Sequence, residues 1–192
     1  GVLTDTAADY VTEKIPPFTA ERKMEALLLA QDELFSYGLT TSLDAGSSVE
    51  DIQQMKELYE SGDLKIRLYV MVNTGPDAEV YYEKGPEIGL YDKRMTINCI
   101  KFFTDGSLGA RSAWLLEEYS DRPGHVGNSR YTYDEFYELI KEVREHGFQA
   151  STHAIGDAAN RLVVDTYEKV LKENPLDDHR FRIEHFQIAT LE

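Results

Sequence analysis

Three segments of the 192-residue chain put chemically capable side chains where strands are normally apolar. Ile100-Lys-Phe-Phe-Thr-Asp-Gly106 reads as a buried parallel strand carrying a lysine, and a cation there must be neutralised, paired or converted into something else. Thr152-His-Ala-Ile-Gly-Asp157 and Arg182-Ile-Glu-His-Phe-Gln187 each set a histidine at or near the end of a similar strand. Lys101, His153 and His185, from three successive strands, suggest a metal site. Each has a plainer alternative when taken alone: a snorkelling or ion-paired strand lysine for Lys101, a satisfied core histidine for the other two.

The elements that must position these residues alternate between strand and helix periods, the signature of repeated β-α units and a parallel sheet. A first helix is expected over Thr19–Tyr37, with Met24, Leu27, Leu28, Leu34 and Phe35 on one face and Gly38 as its stop. Leu39–Ala45 follows as a short buried strand. Ser48 with Asp51 opens the next helix as a capping-box variant, Ile52, Met55, Leu58 and Tyr59 form its apolar stripe, and Gly62 ends it. Leu64–Val72 is the next strand, and Pro76–Lys84 suits a short helix. Gly85, Pro86 and Gly89 mark a loop before the strand Thr96–Thr104. The passage Asp105–Arg130 has four glycines and little periodicity, and structureless loops of that length in compact domains are usually functional or disordered. Thr132 and Glu135 make a capping box for a helix bearing Phe136, Leu139, Ile140 and Val143, which stops at His146-Gly147. Phe148–Ala154 is a strand, Asp157 caps the helix carrying Leu162, Val163, Tyr167 and Val170, and Phe181–Phe186 is the last strand.

About five strands thus alternate strictly with helices, as in a doubly wound open sheet or part of a (β/α)8 barrel. In both, chemistry sits at the carboxyl ends of the strands. Asp44, Lys101, Asp105, His153 and His185 all fall in or just beyond those ends, so they point to one shared face. No glycine cluster opens a helix after a strand at the spacing a dinucleotide site needs.

Composition bounds the function. With 42% hydrophobic residues the chain suits a globular domain with a real core. The net charge of −15 argues against nucleic acid, because binding phosphates needs a surplus of lysine and arginine. No apolar run approaches the roughly 18 residues a membrane span needs, and no basic-then-apolar leader opens the chain, so the expectation is a soluble, cytoplasmic protein without a membrane partner. Cys99, the one cysteine, should be a buried free thiol.

The motifs carry a family resemblance. Lys101-Phe-Phe-Thr-Asp-Gly-Ser-Leu-Gly-Ala-Arg-Ser-Ala113 followed by Tyr119, then His153-Ala-Ile-Gly-Asp-Ala-Ala-Asn160, then Arg182-Ile-Glu-His185, resembles the metal-dependent amidohydrolases. Within them it is most similar to amidohydrolase family 3, the branch with N-substituted formamide deformylase-like enzymes. Gly38-Leu-Thr-Thr-Ser-Leu-Asp-Ala-Gly46 is similar to that branch's second-strand segment, and Gly1-Val-Leu resembles a connecting stretch downstream of its first strand.

The resemblance implies a hydrolase with a distorted (β/α)8 TIM-type barrel, of which residues 1–192 form a single α/β domain, an internal piece holding strands two to six. It implies one or two divalent metals per full-length chain, zinc with iron or manganese as alternatives, bound by Lys101 as a carbamate, His153 and His185. Metal-activated water would attack an amide, formamide or cyclic amide carbon-nitrogen bond of a small-molecule substrate. Carbamylation also rationalises a buried lysine, because it turns a costly cation into an anionic oxygen ligand.

The family's first-strand His-x-His pair and eighth-strand aspartate do not occur here, and both ends read as cut. The expectation is therefore a piece inactive alone, poorly loaded with metal, with Lys101 unmodified. The alternative is a degenerate, non-catalytic α/β module serving assembly, where unpaired strand edges favour a homo-oligomer. A phosphate site at Asp105–Gly109 is weaker, lacking a helix start.

The remaining polar residues carry lesser roles. Asp105 and Arg111 shape the substrate side of the site or hold the glycine-rich loop by an ion pair. Glu184 orients a ligand or, turned away from the His185 face by strand alternation, pairs with an arginine. Asp44 reads as a strand-end turn residue, and His125, His146 and His179 as solvated.

Overall fold

The computed structural model describes residue 3 and residues 5–191; Gly1 and Val2 of the connecting stretch, and Glu192, lie outside the described residues. In chain order, a 3-10 turn (Asp5–Ala8) leads into α1 (Asp9–Thr12), α2 (Ala20–Ser36), β1 (Thr41–Ser47), α3 (Val49–Ser61), β2 (Arg67–Asn73) and α4 (Pro76–Lys84). Then follow β3 (Glu87–Gly89), a single turn α5 (Leu90–Lys93), β4 (Met95–Phe103), α6 (Tyr133–Glu145), β5 (Gln149–Ala154), α7 (Asp157–Glu173) and β6 (Arg182–His185). The chain is α/β, and its parallel strands alternating with helices are those of a partial (β/α)8 barrel. Among the described residues no helix is long and apolar enough to cross a membrane.

Residues divide into two compact units, Pro16–Lys101 and the segment from Phe102 onward together with the residues up to Ile15. In the first, β1 pairs parallel with β2 and β2 with β4. Val70, Met71, Val72, Met95, Ile97, Cys99 and Ile100 fill its core, and Cys99 is a buried free thiol. The Ser48/Asp51 capping box forms on α3, whose Ile52, Met55, Leu58 and Tyr59 are buried, and left-handed Gly62 terminates the helix.

Two expectations fail in this unit. The strand read as buried, Leu39–Ala45, is instead β1 two residues later, and its Leu43 is 50% exposed. Among the described residues β1 pairs only with β2, so it is an edge strand with one side open. The loop read around Gly85–Gly89 contains β3, antiparallel to β4 through Glu87 opposite Ile97. The Glu87 carboxylate there takes Lys56 Nζ at 2.6 Å and Lys84 Nζ at 2.9 Å, and this ion cluster anchors a strand too short and too glycine-flanked to show a period.

In the second unit β5 and β6 pair parallel, with Ser151 opposite Arg182 and Ala154 opposite His185. The Thr132/Glu135 capping box starts α6, and Phe136, Ile140 and Val143 are buried at its inner face. Asp157 does not cap α7 from outside. It is the first helical residue, Gly156 holds the N-cap position without a side chain to offer, and Asp157 Oδ1 accepts from Leu116 N at 2.8 Å and from Ala158 N. Gly156 is needed for space: a Cβ there would lie 1.9 Å from Trp114 O.

Candidate metal centre

Asp105, just past β4, organises the second unit's site. Its carboxylate is fully buried and accepts three backbone amides: Trp114 N at 2.9 Å, Ile155 N at 3.0 Å and Gly156 N at 2.8 Å. A buried anion is tolerable when several donors saturate it, and these donors tie the long loop and the start of α7 to the end of β4. The ion pair anticipated between Asp105 and Arg111 is absent; Arg111 forks onto Asp121 across the exposed loop, the shortest contact being 2.5 Å. The loop without periodicity is therefore ordered by polar contacts, among them Gly106 N to Ser112 O and Tyr119 OH to Ala113 O.

His153 lies on β5 beside this carboxylate. Its Nε2 is 3.2 Å from Gly106 O and 3.3 Å from Asp105 Oδ1, and its side chain is 13% exposed. The carbonyl assigns the proton to Nε2, which leaves the Nδ1 lone pair for a ligand; such a carbonyl or carboxylate on the far nitrogen is the usual way a ligating imidazole is oriented. Thr104 N and Oγ1 both donate to His153 O, at 3.0 and 2.8 Å, fixing the backbone at the same point.

His185 reaches His153 by leaving strand geometry. The register sets Glu184 opposite His153, so regular alternation would carry the two imidazoles to opposite faces. At His185 φ is +78° and at Phe186 +48°, and the rings meet edge to face with centroids 4.5 Å apart. Left-handed backbone at two consecutive non-glycine residues costs on the order of 1–3 kcal/mol each and persists where a site over-determines it. Glu184, on the other hand, accepts from Ser151 Oγ at 2.6 Å and from the Arg182 guanidinium at 2.6 and 3.0 Å, so it braces β6 against β5.

Lys101 belongs to the first unit, at the C-terminal end of β4 opposite Asn73. It is 4% exposed. The end of β1 makes room for it: a register shift separates Ala45 from Ser47, and a Cβ on Gly46, where φ is +130°, would fall 2.9 Å from Asn73 Oδ1 and 3.9 Å from Lys101 Cγ. Asn73 drew no attention in the sequence, and Gly46 entered only as the last residue of the segment similar to the family's second strand. Asp44 accepts from Ser47 Oγ at 2.9 Å, a strand-end turn. His125, read as solvated, instead has Nε2 2.6 Å from Arg111 O and stacks on Tyr119.

The donor chemistry of the His153–His185 pair fits a divalent ion, since two imidazoles whose rings touch can both address one cation. Among the described residues, no group of three or more His, Cys, Asp or Glu is arranged to hold one.

The chain is similar to an uncharacterized metal-dependent hydrolase from Pyrococcus furiosus, with 28% identity and a TM-score of 0.75, over 96% of this chain and 37% of that one. A second uncharacterized metal-dependent hydrolase, from Pyrococcus horikoshii OT3, gives 28% identity and a TM-score of 0.70 over 85% and 33%. In sequence it is 31% identical to Protein LONG AFTER FAR-RED 3 of Arabidopsis thaliana, over 97% of this chain and 34% of that protein. The Amidohydrolase family model matches residues 1–192, and the chain belongs to that family. It spans about a third of the length of the relatives it matches.

Proposed function

We propose that this chain is part of the catalytic barrel of a longer metal-dependent hydrolase that cleaves carbon-nitrogen bonds other than peptide bonds in small amide, formamide or cyclic amide substrates. The observation that carries the reading is the His153–His185 ring pair, brought together at 4.5 Å by a left-handed residue that ordinary strand geometry would not supply. His153 and His185 would hold one or two divalent ions, zinc among the candidates, with Lys101 as a carbamate formed by its neutral amine and carbon dioxide with release of a proton. A metal bound there supplies Lewis acidity and water made acidic enough to attack at neutral pH. The chain's own residues do the rest. Gly106 O and Asp105 hold the proton on His153 Nε2 and keep Nδ1 free to bind, and the Asp105 amide bonds keep the loop over the strand end.

The test is metal analysis and turnover of the full-length parent. One or two divalent ions per chain, falling at least by half in His153→Ala and in His185→Ala, with hydrolysis of at least one member of an amide and formamide panel, is the expected result. A parent that binds no metal and hydrolyses none of them would move the assignment to a non-catalytic α/β module, a reading favoured by the open side of β1.

A further inference from the structure

Within the Pro16–Lys101 unit two acceptors are left over at a place where the neighbouring cations are already matched. An open pocket of about 560 Å³ lies between α2, α3 and the carboxyl end of β1, a size that falls among small-molecule sites of roughly 300–1,000 Å³. Phe18, Leu27 and Met55 belong to its apolar wall, and Asp44, Asp51 and Gln54 to its polar one. Gln54 is 5% exposed, and its Nε2 donates to Glu50 Oε1 at 3.1 Å, one turn back on α3. That bond sets which way the amide faces and leaves Oε1 as the other, buried end, without a hydrogen-bond partner. Buried acceptors in folded proteins are nearly always satisfied, so an orphan on a pocket wall marks a place for a donor. Asp44 Oδ2 accepts from Ser47 Oγ at 2.9 Å, and among the described residues no ion pair reaches its carboxylate. The cations nearby are spent elsewhere: Lys23 Nζ on Glu50 at 3.3 Å and Asp51 at 2.9 Å, and Arg22 on Glu25 at 3.4 Å.

We infer that this pocket binds a small organic cation, a primary ammonium carried on an apolar body. The inference goes beyond the hydrolase reading and does not depend on it. An ammonium has three donors and no acceptor, so one group can serve both Gln54 Oε1 and the Asp44 carboxylate, and its charge strengthens each bond. The apolar body covers Leu27 and Met55 and takes Phe18, which is 72% exposed, out of water. An anion is disfavoured, because the unmatched groups on the wall are acceptors and the chain carries a net charge of −15. A bare metal ion would leave the apolar wall uncovered, and among the described residues no three His, Cys, Asp or Glu stand together to ligate one.

The experiment is calorimetric titration of the full-length parent with phenethylammonium chloride and with 2-phenylethanol, a neutral molecule of the same shape. The ammonium should bind the unmodified protein about tenfold or more tightly than the alcohol, and Asp44→Asn, which keeps the side-chain size, should bring the two within about twofold. Gln54→Leu should weaken the ammonium about threefold or more by removing the buried acceptor. Ala30→Trp, at an exposed position on the pocket lining, should abolish binding of both molecules by filling the space. Glu25→Gln, which removes an exposed carboxylate outside the lining, should leave the preference intact. Thermal melts of each variant control for folding, and Ala30→Trp tests the location without touching a buried group. Binding of neither molecule, or equal binding of both by the unmodified parent, overturns the inference. So does a preference for the ammonium that survives Asp44→Asn or Ala30→Trp, since the cation would then be held elsewhere. Ammonium binding by a parent that hydrolyses no amide would sink the hydrolase reading and leave this one standing, and hydrolysis without ammonium binding would do the reverse.

Discussion

Helices α2 and α7 are both 17 residues long, and they are held in opposite ways. Helix α7 buries Ala158, Ala159, Leu162, Val163, Tyr167 and Val170 along one face, and Tyr167 OH bridges Thr152 on β5 to Arg182 O on β6. On α2 the one fully buried residue is a glutamine; of its apolar stripe, Met24, Leu27, Leu28 and Leu34 are only half-buried and Phe35 is 37% exposed, while Leu29, off the stripe, is 63% exposed. Its anchors are polar instead. Thr19 caps its start, Lys23 reaches Glu50 and Asp51, and Gln31 donates to Asp63 O and accepts from Lys65 N and Ile66 N. An apolar stripe in sequence therefore says which face of a helix packs, and the geometry of its neighbours decides how deeply.

The sharpest way to test that contrast is to remove the buried polar anchor on the α7 side. Asp105→Ala would strand Trp114 N, Ile155 N and Gly156 N together, and at roughly 1–3 kcal/mol for each stranded buried donor the loss should reach about 3 kcal/mol or more in chemical denaturation. A loss below about 1 kcal/mol would mean that the loop amides find other partners, and that this unit rests on its apolar core alone. Next in size is the pair of helices themselves. Leu162→Ala in α7 should cost about 2–5 kcal/mol, Leu29→Ala in α2 should stay within about 0.5 kcal/mol, and Gln31→Ala should exceed it at about 1–3 kcal/mol. Were Leu29→Ala to cost more than Gln31→Ala, the polar-anchor account of α2 would be wrong.

What could be read from sequence follows the same division. Both capping boxes, the αL stop at Gly62, the strand carrying Lys101 and the alternation of strands with helices rest on local patterns, and all form as the patterns predict. The exposure of β1 was illegible because Leu43 and Ala45 look the same whether or not a second strand pairs beside them. β3 was illegible because its stability comes from Lys56, 31 residues away in sequence. At the site, residue types pointed to Lys101, His153 and His185, but not to how the two imidazoles meet, since strand alternation predicts opposite faces and only the positive φ at His185 reverses that. The roles of Asp105 and Arg111 separated for a similar reason: Asp105 is saturated by amides contributed from two distant segments, so Arg111 was free to pair with Asp121.

Polar anchoring in the first unit should itself be graded by burial, which gives the smallest and most discriminating effect. Glu87 is 19% exposed and its partner Lys56 11%, whereas in the α2 cluster Lys23 is 29% and Glu50 69% exposed. Burial pushes the Glu87 carboxyl up, but hydrogen bonds and charge from Lys56 and Lys84 outweigh it and leave the group below its ordinary 4.5. A carboxyl depressed in the folded state adds stability that is present above the unfolded value and is lost as pH falls through the lower, folded one. Denaturation midpoints of the unmodified chain should therefore decline as pH drops below about 4.5, and Glu87→Gln should flatten that decline. At neutral pH the substitution should cost about 1–2 kcal/mol, because Lys56 is left partly buried with an amide in place of an anion. Glu50→Gln, at an exposed pair, should cost less than about 0.5 kcal/mol. If the two substitutions cost the same, burial is not what separates strong polar anchors from weak ones, and the hold on α2 must come from Gln31 alone.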